Sequence, residues 1–440
     1  MQITDEKKFV EGVWPNYSNF LQEWNNLCIK YNFAIYDAGL NAIQSLYGFQ
    51  EKSSDTKRIS NLIRSSFDSS LRKSLEEEKF TTTLSNFLEL FSEMAKITRH
   101  NKFHSLLDDM VAKWNLFIEP FRDTINRTPS EVIPLDGKFD LLHYHLSEPK
   151  YQTPVLMVGS LINRHYILDL LPKISIVKQF QKQGFDVYAT DWRTPMSFDK
   201  DMTLNKYVFD HVEKAIEKIQ KETGQKKISL YGYCWGGIFA LIYSALHPEN
   251  VKNLILHATP FDLENPPTPI EHWTKHLNAD KLVDAFGNIP GIFLNLAFLM
   301  RNPVEAFLKY PRFFSDLRTW DEILQFISIE IWLYDSRPII GHVFRQIVDE
   351  IYKKNKLEKN QMRIGEKLVD LKKITMPVLN IVGSEDDLVP PESSRNIISK
   401  VASSDSKLIE FPTGHVGLCI SSKAHEKLWP EVVQWLSKRS

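Results

Sequence analysis

Cysteine is nearly absent. The chain has three in 440 residues, Cys28, Cys234 and Cys419, too few and too far apart for a disulfide scaffold, and no Cys-x-x-Cys pair to hold zinc. Long apolar runs are missing as well: the longest, residues 291–300 (GIFLNLAFLM), is about half the ~20 residues a membrane-spanning helix requires. The opening MQITDEKKFVEGVW contains no apolar h-region, so nothing there marks the chain for secretion and a cytoplasmic location is expected. Neither sign of charge dominates. The 54 Lys+Arg stand against 55 Asp+Glu, a formal net charge of −1, and no polybasic run occurs, which excludes nucleic acid as the main partner because phosphate binding needs clustered cations. Neither a P-loop nor a Gly-x-Gly-x-x-Gly fingerprint is present.

What remains is the composition of a globular protein: 43% hydrophobic and 25% charged residues, values that a disordered or fibrous chain does not show. At ~100–200 residues per domain the length suggests two to four units. The 27 Phe, 15 Tyr and 10 Trp make the chain somewhat rich in aromatics, which suits broad apolar contact surfaces. Residues 1–125 are poor in glycine and lack strand-like alternation. Phe20, Trp24, Leu27, Tyr31, Ala34 and Ala38 recur at steps of three and four, and Ile59, Ile63, Phe67 and Leu71 repeat the pattern, so this stretch is expected to be an N-terminal helical region. It suits either a helical bundle packed on the rest or a surface for a partner.

After residue 129 the texture changes, and residues 126–440 read as one α/β unit. Apolar runs at 139–145, 154–158, 184–190, 227–231, 251–257, 376–382 and 407–411 read as strands, the first half-buried; helical patterns at 174–183, 204–223 and 238–246 separate several of them. Apolar strands alternating with amphipathic helices predict a parallel sheet covered on both faces. One insertion, residues 263–373, is helical in pattern and rich in Phe, Trp and Tyr. It is expected to form a lid over the carboxyl ends of the strands, where open α/β sheets bind ligands.

The chemistry concentrates in three turns. Gly232-Tyr-Cys234-Trp-Gly236 follows a strand and precedes a helix, the nucleophile-elbow arrangement with cysteine as the nucleophile. Gly232 and Gly236 permit a turn too tight for side chains, and the helix start behind the sulfur favours thiolate. The Trp235 N–H is expected to form half of an oxyanion hole. Partners should follow in the order acid, then histidine, each at a strand end. Asp386, in Gly383-Ser-Glu-Asp-Asp-Leu-Val-Pro390, and His415, in Pro412-Thr-Gly-His-Val-Gly417, meet that order. Glu385 and Asp387 are rivals for the acid. The second oxyanion donor belongs to the loop 159–163, and Leu161 is chosen. Cys419 reads as buried packing. The pairs His100/His104 and His272/His276 share helix faces but lack the His-Glu-x-x-His form, and His143 and His145 alternate on a strand as structural residues; no metal and no cofactor is expected.

These residues make the chain resemble the polyhydroxyalkanoate (bacterial polyester) synthases, the short class III catalytic subunits most of all. The match covers about 310 residues, from about 130 to the end. It is carried by Leu161-Ile-Asn-Arg164, Gly184-Phe-Asp-Val-Tyr188 with Asp191-Trp192, Gly232-Tyr-Cys-Trp-Gly-Gly237, Thr259-Pro260 with Asp262, Gly287-Asn-Ile-Pro-Gly291, Phe344-Arg-Gln346, Leu388-Val-Pro-Pro391 and Gly414-His-Val-Gly417. The resemblance implies an α/β-hydrolase fold with a helical lid and a Cys234–His415–Asp386 triad. It also implies a 3-hydroxyacyl-CoA substrate, short-chain in type such as 3-hydroxybutyryl-CoA, from which CoA is released, and a polyester that stays with the enzyme at a granule. Homodimerisation through the lid and a non-catalytic accessory subunit are implied too. The family has Asp-His where this chain has Asp386-Asp387, and residues 1–125 are longer than the corresponding part of class III subunits. The alternative reading is a cysteine-dependent α/β-hydrolase or thioesterase, which shares the triad and would give hydrolysis without polymer; a third is a non-catalytic granule scaffold, which an intact triad opposes.

Overall fold

The computed structural model describes residues 127–135, 139–265, 268–301 and 319–440, without the side chains of five of them (292, 296, 299, 300 and 320). All belong to the second of the two units, 1–105 and 106–440, into which the chain divides. The helical reading of 1–125 and the His100/His104 pair lie outside the described residues, as does 302–318 within the insertion.

Eight strands form one sheet: β1 Glu131–Leu135, β2 Phe139–Tyr144, β3 Tyr151–Val158, β4 Phe185–Trp192, β5 Ile228–Tyr233, β6 Val251–His257, β7 Val378–Gly383 and β8 Ser406–Phe411. Their spatial order is β1-β2-β4-β3-β5-β6-β7-β8. β2 runs antiparallel to both its neighbours, and every pairing from β4 to β8 is parallel. The central strands are near-continuous apolar runs because helices cover both of their faces. On one face Val155, Met157, Tyr231 and Ile255 pack with α1 (Ile176–Gln183) and with a C-terminal helix, Trp429–Ser437. On the other lie α2 (Asp210–Thr223) and α3 (Trp235–Leu246). Ser175 opens α1 by accepting the Lys178 N–H at 2.9 Å, and Ile176, Val177 and Phe180 form its buried stripe.

The sequence-based strands from 154 onward recur in the structure with ends shifted by up to three residues. Two things differ. β2 is sealed rather than half-buried: Leu142 and Tyr144 face the α1 side, while Phe139 stacks edge-on against Trp192 and leans on His211 of α2. β1 has no counterpart in the sequence reading, since Pro134 interrupts it and it is mostly exposed; it is an edge strand, where a missing N–H is tolerated.

The insertion leaves the sheet after β6. Its described part is mostly helical: α4 Pro269–His276, α5 Ala279–Phe286, α6 Gly291–Arg301, α7 Trp320–Tyr334 and α8 Gly341–Gln346, continued by a wide turn, Ile347–Lys353, with one short antiparallel hairpin, Arg363–Ile364 with Lys367–Leu368, that the helical reading did not include. Asn163, in the loop after β3, donates to Ser336 Oγ at 2.9 Å, and the Trp332 indole donates to the Arg164 carbonyl at 2.8 Å. These bonds dock the α7 end of the insertion onto the loop beside the carboxyl ends of the strands.

Candidate active site

Register aligns the carboxyl ends. Val158 pairs with Gly232, Tyr233 with His257, and Gly383 with Phe411, so the loops that follow β3, β5, β7 and β8 emerge along one edge. Cys234 stands at the first step beyond β5, with φ 54° and ψ −122°, a conformation that L residues rarely adopt. The strain is held from both sides: the Cys234 N–H donates to the His257 carbonyl at 2.9 Å, and the Cys234 carbonyl accepts from Gly237 N–H at 2.9 Å. A Cβ on Gly236 would fall on the Val158 carbonyl, and one on Gly232 on the Gly236 carbonyl, so the turn closes only with hydrogen at both positions.

Cys234 is half-buried and lines a cavity of about 450 Å³ together with His415, Gly159, Ser160 and residues of the insertion, among them Phe298 and Trp332. The His415 Nδ1 lies 2.7 Å from Asp386 Oδ2. Asp386 is fixed in turn by its other oxygen, which accepts from the backbone N–H of Leu388 at 3.0 Å and of Val389 at 2.8 Å. Of the three acids in that turn, Asp386 alone takes this place; Asp387 turns to the cavity wall and pairs with Arg301 at 3.0 Å. Burial disfavours the imidazolium of His415. The Asp386 carboxylate and the hydrogen-bonded Cys234 sulfur outweigh it and push the pKa up to about 10.

The Trp235 N–H opens α3 and, like any first-turn amide, has no partner one turn back in its helix. Its indole donates to Tyr352 at 2.9 Å, tying the elbow to the wide turn of the insertion. Leu161 is buried between Ser160 and Ile162, two residues of the cavity wall. That loop is held from β4: Thr190 Oγ1 accepts the Gly159 N–H at 2.9 Å, and Trp192 Nε1 donates to the Gly159 carbonyl at 3.1 Å. Cys419 is fully buried, and burial pushes its thiol well up, leaving it protonated and inert.

Two neighbours escaped the sequence reading. Tyr233 packs its ring 5.2 Å from that of His415 and 4.7 Å from that of His257. His257, hydrogen-bonded to Tyr231 Oη at 2.5 Å, is held neutral by burial first and by the charge of His415 second. The position just before the nucleophile and the last residue of the next strand were the available signals, since register makes them partners.

Residues 153–419, more than half the chain, match the α/β hydrolase fold family, in keeping with the strand order, and residues 76–180 match the poly-β-hydroxybutyrate polymerase (PhaC) N-terminus. The poly(3-hydroxyalkanoate) polymerase subunit PhaC of Allochromatium vinosum is 35% identical over 316 residues, 71% of this chain and 89% of that one. The chain belongs to the poly(3-hydroxyalkanoate) polymerase family. A second polymerase of that name, from Synechocystis, is 36% identical over 71% of this chain and 85% of its own. A third, from Haloferax mediterranei, is 39% identical over 72% of this chain, which spans just under two thirds (65%) of that longer polymerase. Two solved lipases are distant likenesses: a Paleococcus ferrophilus monoacylglycerol lipase (19% identity, TM-score 0.42, 70% of this chain and 100% of that one) and a Saccharomyces cerevisiae monoglyceride lipase (16%, 0.47, 71% and 96%). Among the described residues no helix is long and apolar enough to cross a membrane.

Proposed function

We propose that this chain polymerises 3-hydroxyacyl-CoA thioesters, short-chain ones such as 3-hydroxybutyryl-CoA, into a polyester with release of CoA, the acyl chain being held on Cys234. The observation that carries the reading is a cysteine at a strained elbow, facing a cavity it shares with an Asp-anchored histidine, in a member of the polymerase family.

His415 takes the thiol proton, and the Cys234 sulfur attacks the thioester carbonyl. The oxyanion is received by the N–H groups of Trp235 and Leu161, and the CoA sulfur leaves with the proton from His415. One thioester replaces another, so the step is nearly isoenergetic and the acyl group stays activated, which a serine ester would not achieve. Growth then joins the hydroxyl of an incoming hydroxyacyl-CoA to the carbonyl of the Cys234 thioester, His415 or Asp386 removing the hydroxyl proton as the cysteine sulfur leaves. That sulfur then attacks the CoA thioester of the lengthened chain, and CoA departs with the proton. No cofactor enters. The aromatic insertion over the cavity keeps water from hydrolysing the thioester.

Association with the polyester granule, a homodimer and a non-catalytic partner subunit belong to the same reading; the relatives are themselves named as subunits. Residues 1–125 either bind such a partner or replace it. The full-length protein incubated with 3-hydroxybutyryl-CoA is expected to release CoA thiol and turn turbid with insoluble polyester. CoA release accompanied by soluble 3-hydroxybutyrate alone would overturn the proposal in favour of a thioesterase.

A further inference from the structure

The amino-end edge of the sheet, opposite the catalytic loops, carries a second group of chemically able side chains. His143 lies in β2 and His145 is the first residue past its end, and their imidazole rings stand 5.2 Å apart. Asp186 comes from the start of the neighbouring strand β4 and faces the same way, one step along the ladder from Tyr188, the register partner of His143. His143 Nε2 stands 3.0 and 2.9 Å from the two Asp186 oxygens. Among the described residues, these three side chains bring one ligand atom each within 4.8 Å of one another.

We propose that His143, His145 and Asp186 form a binding site for a divalent zinc-type cation. Ligand atoms about 2.0–2.1 Å from a tetrahedral ion lie roughly 3.3 Å apart, so the His143–Asp186 pair already stands near the spacing the ion imposes, and His145 closes the third position by a side-chain rotation. Two imidazoles and one carboxylate select zinc and its first-row neighbours over magnesium or calcium, which take oxygen ligands.

The groups behind the ligands are arranged to orient them. The His143 ring is stacked flat on Tyr188 at 4.1 Å and 9°, and the Leu146 N–H donates to Asp186 Oδ1 at 3.2 Å. Glu131 is paired with His143 across β1 and adds negative charge to the same face. The site is independent of the polymerisation chemistry. It clamps β2 to β4 at the end of the sheet away from Cys234.

The test is a zinc titration of the full-length, untagged, EDTA-treated protein against a chromophoric chelator. His145 is exposed, so H145Q leaves the fold intact; D186N removes the second ligand, and H272Q is the control on the other imidazole pair, whose rings lie 5.6 Å apart on α4. The proposal expects wild type to bind one equivalent that H145Q and D186N weaken at least tenfold and H272Q leaves unchanged, with a thermal midpoint that rises with zinc in wild type and not in H145Q. No binding below 100 µM, or an isotherm that H145Q does not alter, or one that H272Q weakens as much, overturns it.

Discussion

At Cys234 the backbone positions the sulfur, and His415 and Asp386 stand in line beside it. With φ 54° held by hydrogen bonds on both sides, the thiol has one outlook, toward the cavity and His415. C234A is expected to lower CoA release from 3-hydroxybutyryl-CoA by roughly 10⁴-fold or more while leaving the far-UV circular dichroism unchanged. D386N keeps the shape of the acid but removes the charge that orients and stabilises the imidazolium; a loss of about 10³- to 10⁴-fold in kcat is expected, and a near-wild-type rate would remove Asp386 from the mechanism. His415 also links the site to stability. Its pKa stands at about 10 in the folded chain against an ordinary 6.5, so its favourable contribution is complete below about pH 6.5 and disappears as pH rises through 10. The difference in urea midpoint between wild type and H415Q should therefore narrow from pH 6 to pH 10; a gap that is constant or widens contradicts the ion pair. These residues were legible because each sits in a turn punctuated by glycine or proline after an apolar run. Tyr233 and His257 were not, because their place beside His415 depends on strand register, which no local pattern encodes.

Elements differ in how much of themselves the sequence discloses. Parallel strands buried on both faces are near-continuous apolar runs, and β6 was read to the residue. β1 was invisible because an edge strand with an exposed face needs neither apolar alternation nor a full set of N–H donors. The insertion was legible as helical and aromatic, but its docking was not: Asn163 to Ser336 and Trp332 to Arg164 are pairs about 170 residues apart. At the elbow, G236A forces a methyl into the Val158 carbonyl, backbone that cannot yield without shifting β3. A destabilisation of about 1–3 kcal/mol or more is expected in urea unfolding, with loss of CoA release from the protein that remains folded. W332A removes both an indole from the cavity wall and its bond to the loop after β3. It should raise the share of free 3-hydroxybutyrate among the products, and an unchanged product ratio would show that Trp332 has no part in excluding water.

The whole molecule places its two chemistries at opposite edges of one sheet. The thiol and its partners occupy the carboxyl ends of β5, β7 and β8; the imidazole–carboxylate cluster occupies the other edge, where β2 ends and β4 begins. H145Q should accordingly change zinc affinity and leave the rate of CoA release within twofold of wild type. The strand order that creates this separation was only partly legible: the alternation of strands and helices called for a parallel sheet, but β2 pairs antiparallel to β4, a direction that its apolar pattern does not encode. The cavity, finally, has a consequence for the product. About 450 Å³ is the lower range of room found for a small ligand, enough to hold a few ester units. On the proposed mechanism, a polyester longer than the cavity leaves continuously through its mouth while its newest end stays bonded to the Cys234 sulfur. The catalyst is then tethered to what it makes, like a spinneret carried on its own thread.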